Sequence, residues 1–299
     1  MNTRPLGNTG LAVSAITLGT VELGIDYGFR GSAHYQKPDR SAAADLLREA
    51  AASGITLLDT APVYGDAEEL IGVSGVDTPV ATKIVLPADA AQIAASVEQS
   101  LRRLRRTRLD LLQLHNPNPV SVRDPALLAG LQAVIDSGKV RCVGASAYDE
   151  ATALAILDIP LYRTLQVPFN LLDRTMERRV FPLARERGVG ILVRSVFLRG
   201  VLTARIAEVP APLAALRDRA LAGLGDTPVE ALAALALRFC LSFPEIATLI
   251  LGIRDSAELR SNLAAAAQGP LSADELSHWR PFAVEDDPLV SPLNWQGLI

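Results

Sequence analysis

Lysine is nearly missing from this chain: of its 29 basic residues, 26 are Arg and only Lys37, Lys83 and Lys139 are Lys. Cysteine is scarcer still, with Cys142 and Cys240 alone. Two isolated thiols in apolar runs make no disulfide framework and fit a reducing, cytoplasmic compartment. Aromatic residues reach only 5%. No run of about 18 apolar residues occurs, so there is no candidate for a membrane-spanning helix. Residues 1–7 lack the apolar core of a signal peptide. Net positive charge is also lacking: the formal charge is −4, against the bias of nucleic-acid binders. The one basic cluster, Arg102, Arg103, Arg105, Arg106 and Arg108, reads as a solvated helix end, where cations suit the negative dipole terminus. Neither nucleic acid nor membrane is expected as a partner.

What the chain does have is an ordinary globular balance, 49% hydrophobic and 21% charged over 299 residues. Eight short β-rich runs, at 15–18, 55–59, 79–83, 109–114, 140–145, 164–167, 190–194 and 247–251, alternate with longer Ala/Leu-rich segments. Helices are expected over 41–53, 90–106, 124–138, 149–157, 174–187, 228–242 and 256–267. In the second of these, Ile93, Val97, Leu101 and Leu104 share a face. A hairpin is expected around 7–10, loop at 36–40 and tail at 269–299. The alternation predicts an α/β fold, a (β/α)8 TIM barrel with a short N-terminal β-hairpin. No linker-like tract divides the chain, so residues 1–299 read as one domain.

Barrel active sites lie at the C-terminal ends of the strands. Asp59, Lys83 and His115 close the second, third and fourth expected strands, and Tyr64 follows Asp59 on the same rim. Lys83 stands out because the chain uses Arg almost wherever a cation will serve, and a buried Lys can shift its pKa where Arg cannot. A phenol titrates near pH 10 and donates protons poorly at neutrality. A neighbouring ammonium is expected to lower that value, a carboxylate to keep the ammonium charged, and an imidazole to orient a carbonyl oxygen. That is a device for protonating a carbonyl as it becomes an alkoxide. No side chain can reduce, so the hydride must come from a cofactor. No metal-ligand cluster is read from the sequence.

Leu58-Asp59-Thr60-Ala61-Pro62-Val63-Tyr64-Gly65, followed by Glu68-Glu69-Leu70-Ile71-Gly72, resembles the signature of the aldo-keto reductase family. Lys83 and Leu114-His115-Asn116-Pro117 match its other catalytic segments. Residues 166–170 and 252–262 look like its later cofactor segments. The resemblance covers about residues 3 to 267. It implies an NAD(P)H-dependent carbonyl reductase or alcohol dehydrogenase acting on a small-molecule carbonyl or sugar. Tyr64 would be general acid/base, Lys83 and Asp59 its tuners, and His115 the substrate orienter. It implies Ser146 and Gln166 as the pair that holds the nicotinamide carboxamide, Arg194 near the nicotinamide ring, and Arg254, Glu258 and Asn262 at the adenosine end, with Thr20, Ser195 and Gly252 also cofactor-binding. NADP is the family default, with NAD also possible. The chain lacks the G-x-G-x-x-G dinucleotide fingerprint, but barrels hold phosphate at the loops after strands seven and eight.

Two positions depart from the pattern. Ala147 stands where many relatives have Asn, and Arg194 where many have a Tyr that stacks on the nicotinamide. Arg194 could stack on a π-face, recruit an anionic substrate, or pair with a local carboxylate. Glu258 is also open to two readings. It could repel a 2′-phosphate and accept from a free 2′-hydroxyl, or close a capping box with Asp255 as N-cap and its own carboxylate on the Asp255 amide. The aromatics of residues 22–40, Tyr27, Phe29 and Tyr35, either line a pocket or pack the loop down. His34 and His278 read as structural. Two other functions compete: a Schiff-base aldolase with Lys83 as nucleophile, and a cofactor-binding sensor or regulatory subunit without catalysis.

Overall fold

A computed structural model describes residues 3–32, 34–86, 88–284, 287–295 and 298. Strands β1 (Thr3–Pro5) and β2 (Ala12–Ser14) form an antiparallel hairpin. The remaining strands are β3 (Ile16–Gly19), β4 (Leu58–Asp59), β5 (Val80–Val85), β6 (Leu109–His115), β7 (Val140–Ser146), β8 (Tyr162–Pro168), β9 (Gly190–Arg194) and β10 (Ile246–Gly252). These eight are parallel and close into a barrel in sequence order, β10 pairing β3. The helices are α1 (Val21–Gly24), α2 (Arg40–Ala52), α3 (Ala67–Ser74), α4 (Ala90–Leu104), α5 (Pro125–Asp136) and α6 (Glu150–Leu157). They continue with α7 (Val180–Glu186), α8 (Ala214–Leu224), α9 (Leu232–Leu241), α10 (Ser256–Ala267) and α11 (Ala273–Trp279). The expected hairpin and (β/α)8 barrel are both present.

The strands read as apolar runs because both faces are covered, but the inward face changes character along its length. Its lower layer is Leu57, Ala81, Leu111, Leu192 and Ala247, sealed from below by Leu6, Leu11 and Val13 of the hairpin segment. Strand side chains alternate with period two, so two residues further along the same strands come Asp59, Lys83, Gln113 and Arg194. The barrel therefore grades from an apolar plug into a polar rim within one repeat. Gly144 makes this possible on β7, where a Cβ would lie 1.9 Å from Thr164 Oγ1.

Aspartates start most of the outer helices. Asp39, Asp89, Asp124, Asp149 and Asp255 each accept a backbone N–H from the first turn of the helix they precede, the favoured N-cap arrangement. The basic cluster at the end of α4 is structural in part. Arg103 reaches buried Glu68 at 3.3 Å, and Arg106 caps the carbonyls of Val76 and Thr78 at 2.9 and 2.8 Å.

Several elements differ from expectation, among them the unexpected helices α1 and α8 and the two-residue β4 in place of 55–59. β5 runs through Val85, so Lys83 lies two residues inside its strand rather than at the end. Helix α3 falls where the sequence shows only a motif, and its buried Glu68 bonds Thr82 Oγ1 at 2.7 Å. Of the helix expected over 174–187, only Val180–Glu186 forms. Upstream of it, Asn170 Oδ1 takes the amides of Leu172 and Asp173, and Asp173 takes that of Thr175, local bonds that compete with a helix. The expected tail carries α11, opened by a Ser272/Glu275 capping box. At its far end Trp295 stacks on Phe29 at the barrel mouth.

Candidate functional site

A cavity of about 540 Å³ opens at the C-terminal ends of the strands, a size suited to small-molecule and cofactor sites. Beneath its floor, Lys83 is 1% exposed. Its Nζ donates to Asp59 Oδ2 at 2.7 Å and to the Thr60 carbonyl at 2.9 Å. A buried ammonium is tolerable only with such partners. Asp59 Oδ1 accepts from Gln166 Nε2 at 2.8 Å and from Gln113 Nε2 at 3.4 Å, so both carboxylate oxygens are held. Thr20 donates its backbone amide and its Oγ1 to the Asp59 carbonyl, at 2.9 and 3.0 Å.

Tyr64 lies over this pair. Lys83 Nζ is 5.0 Å from the centroid of its ring, and His115 meets the ring edge-on with centroids 6.0 Å apart. The four residues singled out in the sequence thus come together at one rim. The expected lowering of the Tyr64 pKa is reversed. Burial, then the negative charge of Asp59, hold the phenol well above its ordinary value, since desolvation disfavours the phenolate. Burial also lowers Lys83, with Asp59 pulling the other way. His115 falls to about 4, through burial and then the positive charges of Lys83 and Arg194, which leaves a neutral imidazole at pH 7.

Ser146 donates to Gln166 Oε1 at 3.1 Å. Gln166, Arg194, Ser195, Gly252 and Arg254 line the cavity with Thr20, whereas Glu258 and Asn262 are not among its walls. Arg194 stacks on Tyr148, its guanidinium carbon 3.6 Å from the ring centroid. Among the described residues no carboxylate lies within 4 Å of it, so the carboxylate pairing considered from the sequence is not what holds it. Each nitrogen of the Arg254 guanidinium is engaged: Nε donates to Glu22 Oε2 at 2.5 Å, Nη1 to the Gln36 carbonyl at 3.0 Å and Nη2 to the Tyr27 carbonyl at 2.6 Å. Glu258 accepts the Arg254 amide at 3.0 Å while its own amide bonds Asp255 Oδ1 at 2.8 Å. The capping geometry is therefore present but reaches one residue further back than the expected box.

The 22–40 loop both packs down and lines the cavity. Tyr27 accepts Arg199 Nε at 3.0 Å, and Ser32 bonds Glu208. His34 lines the cavity too, its Nδ1 3.9 Å from Glu208, whereas His278 bonds the Gly223 carbonyl at 2.7 Å. The sequence reading missed Gln113, Tyr148 and the Glu22–Arg254 pair. Gln113 was detectable, because it precedes His115 by two residues and so shares its strand face. The other two depend on elements distant in sequence.

The model of the aldo/keto reductase family matches residues 15–283. The chain belongs to the aldo-keto reductase family. It is similar to aldo-keto reductase YhdN of Bacillus subtilis, 31% identical over 221 residues, a match covering 68% of this chain and 64% of that protein. An aldo-keto reductase of Bacillus halodurans solved in a holo form superposes with a TM-score of 0.80 at 26% identity, over 97% of this chain and 100% of that one. A putative aldo-keto reductase of Pseudomonas aeruginosa is 30% identical with a TM-score of 0.70, over 89% and 94% of the two chains. The chain spans less than two thirds of the length of the curated relatives it matches. No single helix among the described residues is long and apolar enough to cross a membrane.

Proposed function

We propose that the protein is an NAD(P)H-dependent oxidoreductase that interconverts a small-molecule aldehyde or ketone and its alcohol, with Tyr64 as proton donor. One observation carries this reading: a buried Lys83–Asp59 pair lies under the ring of a tyrosine that also meets a neutral histidine. Tyr64 is protonated at pH 7 and can give its proton to a carbonyl oxygen that becomes an alkoxide. The Lys83 ammonium beneath it compensates the negative charge left on the phenol, and Asp59 fixes that ammonium in place. Neutral His115 can donate one hydrogen bond to the same oxygen and orient it. In the reverse direction the phenol must first lose its proton, which its raised pKa opposes.

A nicotinamide, when bound, supplies the hydride that these side chains cannot. The donor set suits such a group. Gln166 lines the cavity at the reacting end, with Ser146 behind it holding its carbonyl oxygen, and Arg199 and Arg205 line the same cavity for anionic groups. Ser195, Leu198 and Arg199 hold φ values of 61°, 45° and 53°, the kind of strained backbone found around ligands. NADP is proposed with NAD also accepted, because Arg254 is bound to Glu22 and Glu258 to the Arg254 amide. Two free buried thiols, Cys142 and Cys240, fit a reducing cytoplasmic setting. The burial of Lys83 weighs against the aldolase alternative, since its nitrogen has no face open to a substrate carbonyl.

The test is to follow nicotinamide absorbance against a panel of aldehydes, ketones and sugars, in both directions. Carbonyl-dependent NADPH or NADH oxidation is expected. Tight nucleotide binding with no turnover on any carbonyl or alcohol would favour the sensor alternative instead.

A further inference from the structure

The charges around the cavity do not cancel evenly. Asp59 is matched by Lys83, Glu22 by Arg254, and Glu208 faces Ser32 and His34. Among the described residues Arg194 has no such partner. Its Nη2 donates to the Ala147 carbonyl at 3.0 Å and its Nη1 to Ser195 Oγ at 3.3 Å, both neutral acceptors. Its Nε is buried with no acceptor among the described residues. Three of the five N–H donors of this guanidinium are therefore unused.

The group is also preorganised. Stacking on Tyr148 fixes the plane of the guanidinium, and Arg cannot shed its charge by deprotonation. Buried Asp173 acts on Arg194 only from beyond ion-pair distance, and a cation without a contact ion pair in a partly desolvated cavity attracts an anion more strongly than one in open water. Its place along the cavity matters as well. Arg194 closes β9, on the same inward layer as Asp59 and Lys83, and lines the cavity with Tyr64 and His115, so it lies at the reacting end. Arg199 is held elsewhere, between the Tyr27 and Trp295 rings at 4.8 and 5.7 Å.

Resting on the carbonyl-reductase reading, we propose that Arg194 selects carbonyl substrates bearing a carboxylate or phosphate, binding that anion while the carbonyl faces Tyr64 and His115. The planar fork suits either anion, because both present two oxygens to a guanidinium.

The experiment compares kcat/KM for matched pairs: 4-carboxybenzaldehyde against 4-methylbenzaldehyde, succinic semialdehyde against butanal, and glyceraldehyde 3-phosphate against glyceraldehyde. The wild-type protein should favour the charged member of at least one pair by about tenfold or more. The first two pairs report carboxylate, the third phosphate. In Arg194→Gln that ratio should fall about tenfold, and Arg194→Lys should restore part of it, as expected for loss of a charge-assisted bond. Because the readout is a ratio, a general loss of activity cancels. A second measurement does not need turnover: calorimetric binding of 4-carboxybenzyl alcohol and of 4-methylbenzyl alcohol to wild type and Arg194→Gln. Only the former should lose affinity in the variant. A wild-type ratio near one in all three pairs, or a ratio unmoved by Arg194→Gln, overturns the inference and leaves carbonyl reduction intact. Equal weakening of NADPH binding and anion selectivity also overturns it, by assigning Arg194 to the cofactor. Anion binding lost with Arg194 in a protein that reduces no carbonyl sinks the hydride-transfer reading and leaves the anion site standing.

Discussion

Gln166 points its amide donor at Asp59, 2.8 Å away, while its carbonyl oxygen accepts from Ser146. One side chain thus joins the residues proposed for proton transfer to those proposed for the cofactor. Gln166→Leu should therefore weaken cofactor binding and also lower kcat, each by about tenfold, the scale of a lost buried hydrogen bond. Ser146→Ala leaves the Gln166–Asp59 bond in place and should affect the cofactor Kd alone. Fluorescence titration and steady-state kinetics on both variants separate the two effects. Equal kcat losses in both would show that the Asp59 bond has no role.

Tyr64→Phe removes the proton and keeps the ring over Lys83. Turnover should fall roughly 10²–10⁴-fold, the usual range for a positioned general acid, with cofactor affinity unchanged. Since burial raises the phenol pKa, reduction should be flat with pH up to at least pH 10, and oxidation should climb with pH. Full activity in the variant, with chemistry rate-limiting, would remove Tyr64 from the proton path.

The Lys83–Asp59 pair tests the barrel interior. Lys83→Met should destabilise by about 3–5 kcal/mol, because it leaves a buried carboxylate without its cation. Adding Asp59→Asn should recover most of that loss, since the remaining polar groups are neutral. Denaturant melts of the two single variants and the double variant measure the difference. A double variant no more stable than Lys83→Met alone would contradict it. Lys83→Arg should also cripple turnover, because the planar fork cannot sit between Asp59 and Tyr64 as a point charge does.

His115 sets a pH dependence of known sign. Its folded pKa is near 4 against an ordinary 6.5, so the unfolded chain binds the extra proton between those values. Stability should be complete above pH 6.5 and decline as pH falls toward 4. The decline amounts to at most about 3 kcal/mol, and less with solvent screening. His115→Gln should flatten that part of the curve. Thermal melts from pH 4 to 7 decide it.

Glu22 occupies the guanidinium that could otherwise meet a 2′-phosphate. Glu22→Gln should loosen Arg254 and raise the NADPH/NADH ratio of catalytic efficiencies by about tenfold, one charge-assisted bond's worth. Glu258→Gln should leave that ratio unmoved, because Glu258 is bonded to a backbone amide. A ratio that responds to Glu258 and not to Glu22 would reverse the assignment.

Asp59, Lys83 and His115 were legible because each is fixed by its own strand, and a barrel brings strand ends together; Tyr64, in the loop after β4, was legible through its spacing from Asp59. Lys83 was conspicuous only against a background of Arg. The Arg194–Tyr148 stack was not legible, since it depends on how two strand ends meet in space. Glu22 and Arg254 are 232 residues apart, and no local pattern links them. Helix α11 could have been found: Ser272-Ala273-Asp274-Glu275 spells a capping box. The unwound stretch before α7 could not, because Asn170 and Asp173 act there through side-chain bonds rather than periodicity.

The two rims of the barrel are closed by opposite ends of the chain. Leu6, Leu11 and Val13 seal the floor, whereas Trp295 stacks against Phe29 at the mouth and Pro292 lines the cavity. An affinity tag or fluorescent fusion therefore belongs at the N-terminal end, on the face away from the ligand. A carboxypeptidase trimming from the other end would reach the ligand site long before it reached a barrel strand.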